Sequence, residues 1–271
     1  MAINDIIDLP QFEKVVPTRK NAKHPLLKEG ERILEKLKDL NNQKQISDKL
    51  LKDLRPSGSQ PARLYGTAKV HKPNVPLRPV LSMPGSCYHK IGKQIADCLS
   101  VVSECGINTS AKAISNDLKN ITLDPDEVII SFDVCSLYIN VPTEDAINHC
   151  AELLYSGRYP KPPVRKQTFI ELAKLCNCEV IMLTHKGYFK QTDGLAMGSP
   201  RAPYLANGWL SQYDQDIKSN AKIYERYMDD VLRNIKKDEA EKKLDEINKL
   251  NPEYLKFTIN TKQIIVYHFL T

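Results

Sequence analysis

Two places where short apolar runs meet carboxylates constrain this chain more than any other feature. Glu127–Ser131 reads as a buried strand leading into Phe132-Asp133, and Ile223 to Ile235 reads as two strands hinged at Met228-Asp229-Asp230. A carboxylate beside buried strand residues is costly unless it is paired or holds a metal. Strands laid side by side bring Asp133 and Asp229 to one edge of a sheet, where divalent cations relieve their mutual repulsion. Hard ions such as Mg2+ take one or two carboxylates plus substrate phosphates. A pair of such ions about 3.5–4 Å apart is the polymerase and nuclease arrangement. An Asp-Asp pair taken alone is more simply a polar hairpin turn.

The positive charge is confined to the first third. Residues 1–80 carry 16 Lys and Arg against 9 Asp and Glu, and the rest of the 271-residue chain carries 23 against 24. No acidic residue occurs from Leu54 to Ala96, a window that holds Arg55, Arg63, Lys69, Lys72, Arg78, Lys90 and Lys93. Such a stretch faces a polyanion, nucleic acid or polyphosphate, or else is a solvated basic face. With 41% hydrophobic and 27% charged residues the chain is ordinary globular material. No apolar run approaches the roughly 18 residues of a bilayer span. The N-terminal MAINDIIDLP is no secretory signal. The seven cysteines form no CxxC pair, which argues against a zinc module or disulfide scaffold. An intracellular protein, nuclear or cytoplasmic, is expected, neither secreted nor membrane-bound.

The first 55 residues read as helical, from the stripe Leu26, Leu27, Ile33, Leu34, Leu37, Leu40 and a second helix Ile46–Leu54. The Pro-rich stretch 61–84 reads as a strand pair, with Pro76–Leu81 an edge strand returning from a turn at Pro73-Asn74. Ile91, Ile95, Leu99 and Val102 resume a helix. Further helices are expected from Pro142 to about Tyr155, over Lys166–Cys178, from Pro200 through Tyr213, and over Lys237–Leu250. A hairpin is expected over Glu179–Thr184 and Tyr188–Gln191, and strands over Leu255–Ile259 and Ile264–Leu270. Helices and strands mixed this irregularly indicate the α+β class.

Five ordered motifs overturn the bland reading of Asp229-Asp230. They are Arg63-Leu-Tyr-Gly-Thr-Ala-Lys69-Val-His-Lys72-Pro with Pro76-Leu-Arg78-Pro-Val-Leu-Ser82, then Ser131-Phe-Asp133-Val-Cys-Ser-Leu-Tyr138-Ile-Asn-Val-Pro142. Gln191-Thr-Asp-Gly194-Leu-Ala-Met-Gly198-Ser199-Pro200 and Arg226-Tyr227-Met228-Asp229-Asp230 follow. In that order the chain closely resembles the reverse transcriptase domain of Penelope-like retroelements, relatives of telomerase. The resemblance implies right-hand polymerase fingers over 1–120 and an antiparallel palm with helices on one face over 121–271. Segment 158–190 is a candidate to return to the fingers.

It also implies roles. Asp133, Asp229 and the neighbouring Asp230 match the catalytic carboxylates, binding two Mg2+ (or Mn2+) with the Val134 carbonyl as a further contact. Tyr138 matches the bulky residue that excludes a 2′-hydroxyl. Lys69, Lys72 and Arg78 match the triphosphate clamp, the contact among the three being open. Gly194, Gly198, Ser199 and Pro200 match the loop that approaches template and nucleotide. The partners implied are an RNA template, a DNA primer and deoxynucleoside triphosphates, in a transfer to a primer 3′-hydroxyl. The primer grip, thumb and a GIY-YIG endonuclease of the family find no match, so a truncated copy is expected. Arg201-Ala202 stands where an apolar residue and Ser are usual, and is expected to disturb the following helix. Arg233-Asn234 interrupts an expected apolar run, and an unpaired Arg there would be expensive. The alternative function is a catalytically inactive remnant that binds RNA or a partner; a viral or intron-type RNA polymerase fits less well.

Overall fold

The computed structural model describes residues 7–16, 25–58, 60–68, 70, 75, 77–105, 111–178 and 180–259. Its first part runs β1 (Phe12–Lys14), α1 (Pro25–Asn42), α2 (Asp48–Leu54), β2 (Ala62–Ala68), β3 (Leu77–Ser82), α3 (His89–Leu99) and α4 (Ala111–Asn120). Next come β4 (Glu127–Val134), α5 (Leu137–Asn140), α6 (Thr143–Leu154), α7 (Lys166–Asn177), β5 (Val180–Thr184) and β6 (Gly187–Gln191). The last part is α8 (Ala202–Ser211), α9 (Asp214–Lys218), β7 (Tyr224–Tyr227), β8 (Asp230–Lys236), α10 (Ala240–Ile247) and β9 (Phe257–Ile259). This is the expected α+β mixture.

Two sheets organise it. The first has the order β1-β6-β5-β2-β3 and the second the order β7-β8-β4-β9. The proline-bearing β3 lies at a sheet edge, where a missing amide costs nothing. β5 and β6 pair in the first sheet, β5 running parallel to β2 through Ala62↔Met182 and Arg63↔Leu183. In the second sheet every pairing is antiparallel. Central β4 carries apolar residues without alternation because both its faces are covered: Ile129, Ile130, Ser131 and Phe132 are all buried. The core behind it gathers Trp209, Phe132, Phe169 and Phe257, with α8 packed on α6. Among the described residues no helix is long and apolar enough to cross a membrane.

Several expectations need correction. The N-terminal stretch is not wholly helical: Phe12–Lys14 is an edge strand paired with β6 through Phe12↔Gln191. Three residues are too few for periodicity to register. The helix after Pro200 breaks at Gln212-Tyr213 into α8 and α9, and α4 and α5 were not foreseen. The turn at Pro73-Asn74 and the strand Ile264–Leu270 lie outside the described residues.

The two arginines that looked misplaced are both accommodated. Arg201 is fully buried, yet its Nε donates to Asn177 Oδ1 at 2.7 Å, its Nη2 to the Cys176 carbonyl, and its Nη1 contacts Met83 Sδ at 3.3 Å. Gly92 makes the room, since a Cβ there would stand 2.5 Å from Nη1. Arg233, also buried, donates to the carbonyls of Ile217, Ser219 and Asn234. The first two stand at the C-terminal end of α9, where carbonyls lack helical partners and a cation is favoured. Neither guanidinium is unpaired, so neither disrupts its helix or strand.

Phe132 has no exposed surface and ends the apolar run just before Asp133. Phe132→Ala is expected to cost about 3–5 kcal/mol, read as the loss of unfolding free energy in urea.

Candidate active site

The register of β4 on β8 sets Asp133 directly opposite Asp230. Residues opposed in an antiparallel pair share a sheet face, so these two carboxylates belong to one surface. Asp229 sits in the turn that links β7 to β8, and its carbonyl accepts the Val134 amide at 2.9 Å. The three aspartates therefore gather at one end of the second sheet, around the last residues of β4. Of Val134, the predicted carbonyl ligand, the pairing engages the amide toward this turn.

The turn itself is strained. Tyr227 pairs with Asp230, leaving Met228 and Asp229 as a two-residue loop. Met228 has φ of +57° and Asp229 is outside the left-handed region, the signature of a type II′ turn, whose first central position favours glycine. A buried Met side chain holds it instead.

After Val134 the strand stops abruptly. Ser136 takes φ of +51°, and one helical turn, α5, follows. The Asn140 side chain closes it by donating to the Cys135 carbonyl at 3.1 Å. This brings Tyr138 back beside the aspartate turn. Burial chiefly, and then the Asp229 carboxylate, push the Tyr138 phenol up to about 12, with Arg78 opposing them. Tyr138, Asp229 and Arg78 thus share one electrostatic neighbourhood although they come from three separate motifs. Arg78 lies on β3 opposite Thr67. Lys69 and Lys72 lie outside the described residues.

The 191–200 loop is clamped between α5 and β3. Leu195 N donates to the Tyr138 carbonyl and Leu81 N to the Met197 carbonyl, both at 2.6 Å. Gly194 (φ +78°) and Gly198 (φ +96°) make those approaches possible: a Cβ would stand 2.6 Å from the Ile139 carbonyl oxygen and 2.8 Å from that of Leu81. Both glycines meet this chain's own backbone, a demand the motif alone does not reveal. Ser199 is buried, with its Oγ accepting the Ala202 amide at the start of α8, and Pro200 follows it.

Asp193, which sequence reading passed over, accepts from Thr143 N at 2.9 Å and from Gly194 N at 2.8 Å. It caps α6 from another part of the chain. The one available signal was a helix opening at Pro142-Thr143 with no capping side chain before it. The pairing of Arg226 with Asp214 and Asn207 was missed too; it forms a largely buried network behind the turn.

Among the described residues no three His, Cys, Asp or Glu groups close up into a complete metal set. The aspartates are nonetheless all-oxygen donors of the kind hard cations take, and Mg2+ leaves part of its coordination to substrate phosphates. The donor chemistry suits such an ion, while the three carboxylates do not close on one point as they stand.

A model of the reverse transcriptase (RNA-dependent DNA polymerase) family matches residues 70–264. The chain belongs to that family. Among solved structures, the telomerase of Candida albicans in complex with a fragment of telomeric RNA matches at 12% identity with a TM-score of 0.50. That match covers 89% of this chain and 46% of the other. The telomerase of Candida tropicalis, also with a telomeric RNA fragment, matches at 14% identity and a TM-score of 0.50, over 74% of this chain and 40% of the other. These likenesses concern the fold, which resembles reverse-transcriptase fingers and palm, and the chain spans less than half the length of either telomerase. No curated protein matches the chain.

Two glycines separate strain from crowding. Gly187 has φ of +108° with open space where a Cβ would go, whereas Gly198 has both a positive φ and backbone in the way. Gly198→Ala should lower stability by about 1–3 kcal/mol more than Gly187→Ala, compared by thermal denaturation.

The raised Tyr138 phenol carries a pH signature. Its neutral form is favoured by the fold, so its contribution to stability is intact below the ordinary tyrosine range, near pH 10, and is lost as pH rises toward 12. Denaturant midpoints from pH 9 to 12 should therefore fall less steeply for Tyr138→Phe than for the wild type.

Proposed function

We propose that this chain is an RNA-directed DNA polymerase of a Penelope-like retroelement. The observation that carries the reading is the gathering of Asp133, Asp229 and Asp230 at one sheet end through the β4–β8 register and the Val134–Asp229 bond. Family membership supports polymerase chemistry, and the run of YG..K.HKP..PLRP with SFDV.SLY.NVP supports the Penelope-like group. The telomeric RNA fragment held by the two solved telomerases supports RNA binding here. The division assigns fingers to 1–120 and palm to 121–271. The pairing of β5 and β6 with β1 and β2 supports counting 158–190 with the fingers.

In this reading a primer 3′-hydroxyl attacks the α-phosphate of a deoxynucleotide in line, forming the O3′–P bond and releasing pyrophosphate. Divalent ions, Mg2+ or Mn2+, when bound lower the hydroxyl's pKa and neutralise the leaving group. Asp133 and Asp229, with Asp230 and the Val134 carbonyl, would hold them. Arg78 offers a planar fork to phosphate oxygens, and Lys69 and Lys72 offer point charges, the contact among the three being open. Tyr138 covers the sugar edge and leaves no space for a 2′-hydroxyl. Gly194, Gly198, Ser199 and Pro200 shape the wall against which template and nucleotide lie. The basic first third binds nucleic-acid backbone with salt-sensitive, largely sequence-independent affinity.

Primer extension on an RNA template with Mg2+ is the test. The wild type should incorporate deoxynucleotides and Asp229→Ala should reduce the rate by about 10³-fold or more, while Tyr138→Ala should admit ribonucleotides. A wild type that incorporates nothing, or an Asp229→Ala that matches it, overturns the reading in favour of an inactive RNA-binding remnant.

A further inference from the structure

Behind the strained turn lies a partly buried ion pair that the proposed chemistry does not use, Arg226 deep in the core and Asp214 about one quarter exposed. Arg226 is 3% exposed and Asn207 1%, both well inside the core. The Arg226 guanidinium grips Asp214 with two bonds, Nε to Oδ1 at 2.7 Å and Nη2 to Oδ2 at 2.9 Å. Tyr224 donates its hydroxyl to the same Asp214 Oδ1 at 2.6 Å. Arg226 Nη1 then reaches Asn207 Oδ1 at 3.0 Å and the Met228 carbonyl at 3.4 Å. One side chain thereby ties together β7, α8, the start of α9 and the peptide unit that enters Asp229.

That peptide unit is where orientation matters most. Met228 occupies a backbone region that a residue with a Cβ rarely visits, and such conformations persist only where the surroundings hold them. The planar fork of an arginine anchored on a fixed carboxylate offers a rigid donor to the Met228 carbonyl; a lysine ammonium on a flexible stem does not. Buried charges of this kind are maintained by full satisfaction of their hydrogen bonds.

We infer that Arg226, locked by Asp214 and Asn207, is a positioning residue that orients the Met228–Asp229 turn and so aims the Asp229 carboxylate. It touches no substrate in this reading, and its kinetic consequence rests on the polymerase function proposed above. Its structural consequence stands apart from that function, because the turn's geometry can be read directly.

The reporter is the Val134 amide, which donates to the Asp229 carbonyl, set against the Lys237 amide, which donates to Asp126 at the far end of the same strand pair. In Arg226→Lys, hydrogen exchange of Val134 should rise about ten-fold or more while Lys237 keeps its wild-type rate, the mark of a local opening. Single-nucleotide turnover should fall about 100-fold with little change in the nucleotide KM, as misplacement of a reacting group predicts. Wild-type protection at Val134 in the folded variant, or equal loss at Val134 and Lys237, overturns the inference. If Arg226→Lys does not fold, the double variant Arg226→Met with Asp214→Leu leaves no unpaired charge. It should fold and still lose protection at Val134, and retained protection there refutes the positioning role. A wild type that extends no primer counts against the polymerase reading alone, while the exchange comparison still decides the role of Arg226.

Discussion

The antiparallel ladder between β4 and β8 is the constraint on which the rest of the molecule depends. Seven residue pairs run from Glu127↔Lys236 to Asp133↔Asp230, and the last of them sets two carboxylates opposite each other. A slip of a single residue would turn every side chain of one strand to the opposite face. It would bury a carboxylate and expose an apolar residue. The register is fixed from both faces, since Ile130 and Phe132 on one face and Ile129 and Ser131 on the other are buried. Core packing, rather than any attraction between the aspartates, is what holds like charges side by side.

Three buried arginines share a second lesson. Arg201, Arg226 and Arg233 each sit almost entirely out of water, and each reaches carbonyl or carboxylate oxygens supplied by elements distant in sequence. For Arg201 and Arg233 the sequence allowed only the observation that an ion stood where an apolar residue belongs. Nothing local announces that the end of α9 leaves carbonyls unpaired beside Arg233, or that Gly92 vacates the space Arg201 fills. A buried charge is a statement about partners, and partners in a folded chain are chosen by tertiary structure.

The same distinction separates what could be read in advance from what could not. Long periodic helices such as α6 and α7, the β5–β6 hairpin and the strand–turn–strand around Asp229 were legible because their signals are local: apolar spacing, an acidic first turn, a Lys-Gly turn. The placement of the aspartates at one sheet end was legible as well, because carboxylates stand out against apolar strands. The three-residue β1, the single turn α5 and the capping of α6 by Asp193 were not. Each is short, or is held by a bond spanning some 50 residues, as between Thr143 and Asp193. Tyr138 lies between these cases, since its proximity to Asp229 depends on the abrupt stop of β4 after Val134.

The clamped loop between Gly194 and Gly198 has a mechanical consequence. One glycine is pressed on the Ile139 carbonyl beside the second sheet and the other on Leu81 in the first, so the intervening stretch works as a spacer of fixed length between two walls. Leu195 and Ala196 within it are themselves buried in the core. An inserted or deleted residue cannot be absorbed, because there is no slack to take it up.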